Sequence, residues 1–82
     1  MNRATILIQA TNPGLAETAE RLPGAILDTL DATGIQEATV VRTLGPYDAV
    51  AQVDTDPDTL ARAVLAVQDL DDVSRTLTLP HV

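Results

Sequence analysis

The stretch QEATVVRTLGPYDAVAQVD, Gln36–Asp54, decides the fold. Two runs of alternating or β-branched residues flank Gly45-Pro46, a pair that reverses the chain. Gln36–Leu44 therefore reads as one strand, Tyr47–Asp54 as the next, and the two as a hairpin. Tyr47 is the only aromatic residue in the chain, and with Asp48 it opens the second strand just after the reversal. Polar groups at a strand end are free to face a ligand while the scaffold behind them holds them in place. On these residues alone the other reading is an ordinary turn, with Asp48 solvated and Tyr47 half-buried.

Upstream, ATILIQAT (Ala4–Thr11) is a β-branched apolar run stopped by Asn12-Pro13-Gly14, a strand and its turn. Ile6, Ile8 and Ala10 share one face of it, and Thr5, Leu7 and Gln9 the other. Leu15–Thr33 reads as helix, ended by Gly34 where a left-handed cap residue usually sits. Pro23 interrupts it, either opening a second short helix or kinking the first. Leu15, Ala19, Leu22, Ile26 and Leu30 recur at spacings of three and four and bury one side. Downstream, Asp56-Pro57-Asp58 starts a second helix: Asp56 caps, Pro57 fits the first turn, and Asp58 complements the dipole. It runs to about Gln68, burying Leu60, Val64 and Val67, with Ala61 and Leu65 at the flanks. Asp69-Leu70-Asp71-Asp72 connects it to the last strand, Val73–Pro80. Strict alternation puts Val73, Arg75, Leu77 and Leu79 on one side of that strand, and Ser74, Thr76 and Thr78 on the other.

The order strand–helix–strand–strand–helix–strand belongs to the α+β class. It predicts a ferredoxin-like sandwich (βαββαβ), a four-stranded antiparallel sheet with two helices on one face, as a single domain over residues 1–82. The other face then carries Thr5, Leu7, Gln9, Thr39, Val41, Thr43, Ser74, Thr76 and Thr78. That surface is semi-polar and poor in charge, and it suits packing against a second sheet about 10 Å away. A homodimer formed sheet to sheet is expected, in a dimeric α/β-barrel arrangement with closed two-fold symmetry.

Composition narrows the function. A domain of 82 residues buries only roughly 60–65% of the surface its unfolded chain exposes and gains from oligomerising. The net charge is −7, with five arginines, at 3, 21, 42, 62 and 75, and no lysine, so direct nucleic-acid binding is not expected. The acidic, lysine-free surface fits either a salt-rich cytoplasm or a GC-rich genome. The chain has no cysteine, which removes disulfides, thiolate metal sites and cysteine nucleophiles. No stretch approaches the ~20 apolar residues of a membrane span, and a cytoplasmic protein is expected. The sole histidine, His81, is penultimate, Ser74 is the sole serine, and there is no glycine-rich phosphate loop. An enzyme is therefore not expected, and no cofactor or metal is called for. Asp54, Asp56 and Asp58 lack the central glycine and closing glutamate of a calcium loop, and helix capping accounts for them.

The run LGPYDAVAQVDTDPDTLARAVLAVQDLDDVSRTLTL (Leu44–Leu79) resembles the C-terminal half of the effector-binding (RAM) domain of the leucine-responsive/AsnC-type regulators. The matching pattern is Gly45, Tyr47 and Asp48, then an alternating strand, a helix, and Val73 followed by Thr76 and Thr78; Asn12-Pro13-Gly14 matches the family's first turn. Pro23-Gly24 in a longer first helix, and Asp71-Asp72 in place of a glycine-containing turn, depart from that pattern. The likeness is to stand-alone members, without the helix-turn-helix. The resemblance implies a transcription-regulating, ligand-binding homo-oligomer: dimers closing into an octamer or decamer, with small amino acids or similar metabolites bound between dimers. It implies that Gly45, Pro46, Tyr47, Asp48, Thr76 and Thr78 line that cleft, and that full-length regulators of the same family are partners. The chemistry agrees with it: Asp48 suits an ammonium, and turn N–H groups with threonine hydroxyls suit a carboxylate. The alternative reading is an oligomeric interaction module that binds no ligand.

Overall fold

Alternation, turn chemistry and caps produce the elements in the expected order. The computed structural model, which describes residues 2–11, 16–43 and 46–80, contains β1 (Asn2–Ala10), α1 (Ala16–Ala32), β2 (Ala38–Arg42), β3 (Ala49–Thr55), α2 (Pro57–Gln68) and β4 (Val73–Pro80). The sheet order is β2-β3-β1-β4 with every neighbour antiparallel, the ferredoxin-like topology. The core lies between the sheet and the helices. Ile6 and Ile8 of β1 are fully buried with Leu22, Ile26 and Leu30 of α1 and Val67 of α2. Ala49 and Ala51 of β3 and Ala63 of α2 are also fully buried, so one core combines small and large residues.

Helix α1 is one continuous helix with Pro23 inside it, rather than two. It ends in a Schellman arrangement: Ile35 N donates to Leu30 O at 3.1 Å, and Gly34 takes the left-handed conformation at φ 96°. Ile35, buried at 2% exposure, pins this exit to the core. Helix α2 starts as expected, with Asp56 accepting from Thr59 N at 3.0 Å and from the Thr59 hydroxyl at 2.7 Å. Ala63 and Val67 form its buried stripe, Leu60 and Val64 are half-buried, and Leu65 is exposed.

Two expectations need correction. Strand β3 begins at Ala49, so Tyr47 and Asp48 belong to the turn rather than to the strand. More consequential is the face presented by β4. Its pairing with β1 runs Ile6 to Thr78, Leu7 to Leu77, Ile8 to Thr76 and Gln9 to Arg75, then shifts so that Ala10 meets Val73. The β-bulge absorbs one residue and resets the alternation. Val73 points to the helices as expected, but so do Thr76 and Thr78, while Arg75, Leu77 and Leu79 lie on the open face. Ser74 sits at the bulge, its hydroxyl donating to Gln9 O at 3.1 Å and Ala10 O at 3.3 Å.

Candidate functional site

The Pro46–Asp48 turn is tied to the end of β1 through both backbone and side chains. Asp48 N donates to Ile8 O at 2.9 Å, and Asp48 O accepts from Thr43 N at 3.1 Å, closing the hairpin. Beyond the Ile8–Ala49 pair the β1–β3 ladder ends, and the Ala10 N–H would be left without an acceptor. The Asp48 carboxylate fills that place, its Oδ2 accepting from Ala10 N at 2.7 Å, a charge-assisted bond in a part-buried setting. The Gln9 amide donates to Pro46 O at 3.2 Å and the Thr43 hydroxyl to Tyr47 O at 2.7 Å. Pro46 is exposed, whereas Tyr47 and Asp48 are half-buried. Gly45 lies outside the described residues.

The same end of the sheet gathers the connection before β4. Thr11 donates from its N to Asp72 O at 2.8 Å and from its hydroxyl to Asp71 O at 3.0 Å. Arg21 pairs with Asp72 at 3.2 Å, but the Arg21 side chain is exposed and that of Asp72 only partly covered, so the ion pair contributes little. Asp69–Asp72 thus works as a structured clasp between β1, α1 and β4.

Thr76 and Thr78 are not brought to the turn. Thr76 stands opposite Ile8, which stands opposite Ala49, so two strand spacings, roughly 10 Å, separate it from β3. Its hydroxyl faces the helix side and accepts from the Gln68 amide at 2.8 Å. Thr78 borders an apolar groove with Leu60, Val64 and Leu65 of α2. Within one protomer the described contacts therefore split, with Pro46, Tyr47 and Asp48 in the turn and Thr76 and Thr78 on the helix side of β4.

What sequence alone does not mark is a row across the open face. Val41 of β2 pairs with Val50 of β3, Val50 with Leu7 of β1, and Leu7 with Leu77 of β4. The row beside it runs Thr39, Gln52, Thr5 and Leu79. Val41, Leu77 and Leu79 keep 50%, 45% and 46% of their surface exposed, an apolar band that neither helix covers. Only the registers reveal it, because Leu77 and Leu79 count as inward-facing by alternation from Val73.

No protein-family model matches the sequence, and the search of curated proteins gives no match. Among solved structures the chain is similar to TTHA0845 from Thermus thermophilus, with 30% identity, a TM-score of 0.75, and coverage of 100% of this chain and 94% of that one. It is also similar to FFRP-DM1, at 23% identity and TM-score 0.62, with both chains covered in full. E. coli AsnC matches at 21% identity and TM-score 0.67 over 99% of this chain, which spans 50% of AsnC. The likeness to the last two is one of fold.

Proposed function

We propose, from the premise that the chain belongs to one family with TTHA0845, that it is a non-enzymatic effector-binding domain of the leucine-responsive/AsnC type. In this reading it forms a sheet-to-sheet homodimer, assembles further, and binds an amino acid or similar metabolite between dimers. Full-length regulators sharing the fold are its partners in transcriptional regulation. The observation that carries the reading is the aliphatic row Val41, Val50, Leu7 and Leu77, with Leu79 beside it, on the uncovered face. Single exposed aliphatic residues are ordinary, but a band in register across all four strands suits a second sheet. An isologous dimer would lay each row against its copy.

The split of the expected ligand contacts supports a site shared between chains. The turn residues Gly45, Pro46, Tyr47 and Asp48 and the pair Thr76 and Thr78 would meet around one ligand only if they come from different protomers. Asp48 Oδ1 would then take the ligand ammonium, since Oδ2 serves Ala10 N. One observation favours the second reading, an interaction module without ligand: Asp48 and Thr76 already hold protein partners. Thermal unfolding with each of the twenty amino acids separates the two. At least one amino acid should raise the melting temperature of the wild type and not of Tyr47→Ala; a panel with no stabilising amino acid leaves the interaction module.

A further inference from the structure

At the other end of the sheet, where β1 begins and β3 ends, the open face holds a hollow of about 390 Å³. That volume lies at the lower end of the roughly 300–1,000 Å³ of small-molecule sites. Arg3 and Asp54 are register partners there, as are Thr39 and Gln52 in the neighbouring strands. Glu37 completes the lining, its carbonyl accepting from Asp54 N at 3.2 Å. The hollow thus holds charges of both signs, yet among the described residues no ion pair links Arg3 to Asp54 or Glu37. Among the described residues Asp54 Oδ1 is buried and finds no hydrogen-bond partner. A buried carboxylate oxygen without a donor is rare in a folded protein and asks for an explanation.

We infer that this hollow binds a small molecule with two cationic groups and one carboxylate, the charge pattern of a dibasic α-amino acid. Asp54 and Glu37 each take a cation, the Arg3 guanidinium takes the carboxylate in its fork, and Gln52 and Thr39 offer neutral hydrogen bonds. A neutral amino acid would leave one of the two carboxylates unmatched. A diamine would leave Arg3 unmatched, and an anionic ligand meets the −7 charge of the chain. Three residues of β3, roughly 10 Å, separate the nearest lining residue, Gln52, from the Pro46–Asp48 turn, and the binding role of the hollow is independent of the one proposed for that turn.

The test is isothermal titration of the full chain with L-lysine, L-leucine and cadaverine, the last being lysine without its carboxylate. Lysine is expected to bind once per protomer, and leucine and cadaverine at least tenfold more weakly. Asp54→Asn, nearly isosteric, should weaken lysine binding at least tenfold, and Arg3→Gln should erase the preference for lysine over cadaverine. Tyr47→Ala should leave lysine binding unchanged, which separates this site from the turn. If a variant fails to fold, amide shifts of the wild type on adding lysine decide: changes centred on Arg3, Glu37, Gln52 and Asp54 support the site. Absence of lysine binding, an unaltered affinity in Asp54→Asn, or shifts confined to the Pro46–Asp48 turn would overturn it.

Discussion

Asp48 shows how a residue can be chosen for two reasons at once. Its place after Gly45-Pro46 makes it a candidate ligand contact, while the structure gives it a mechanical task at the end of β1, holding Ala10 N. That partner is 38 residues away and carries no sequence signal of its own. Asp48→Ala should therefore cost about 1–3 kcal/mol, because a part-buried N–H loses its acceptor. Asp48→Asn, which keeps an acceptor oxygen, should cost less; urea denaturation of both variants checks this order. Asp56 carries a pH signature. The Thr59 N–H and hydroxyl, which hydrogen-bond to its carboxylate, hold its pKa below the ordinary 3.8. Its folded value is thus below its unfolded one, so the cap supports α2 above pH 3.8 and that support is lost as pH falls through the folded value. Melting temperatures of wild type and Asp56→Ala should differ near neutrality and converge in acid.

At the scale of elements, the order, type and approximate ends of all six were legible, because Gly34, Pro57 and the Gly45-Pro46 pair punctuate the chain. The facing of β4 was not. Alternation fixes which residues share a side, but the shift between Gln9 and Ala10 is a property of the pairing, and it moves Thr76 and Thr78 under the helices. The candidate site was legible to the same depth: the turn could be located in sequence, whereas its ties to β1 and its separation from Thr76 depend on register. Helix α1 carries Pro23 and then Gly24, both poor choices inside a helix. Gly24 is exposed, and a Cβ there would meet nothing within 4 Å, so Gly24→Ala should stabilise the protein by about 0.5–1 kcal/mol. A higher urea midpoint at unchanged slope is the expected readout. No change, or a loss, would show that the helix bends at this pair.

For the whole molecule, charge and the sheet's open face act against each other. A chain of net charge −7 repels its own copy, whereas in the proposed dimer the aliphatic row would draw two copies together. Salt screens the first effect over about 10 Å at 0.1 M and leaves the second intact or strengthened, so both stability and association should rise between low salt and 1 M. Among the described residues no helix is long and apolar enough to cross a membrane. The row itself sits where β2, β3, β1 and β4 all contribute one residue, so a single charge at its end should undo the assembly without touching the core. Sedimentation velocity of the wild type beside Leu77→Asp is the direct measurement. A dimer or a multiple of dimers is expected for the wild type and a folded monomer for the variant; a wild type that sediments as a single 8.7 kDa chain at micromolar concentration, in high salt as in low, would overturn the proposed assembly.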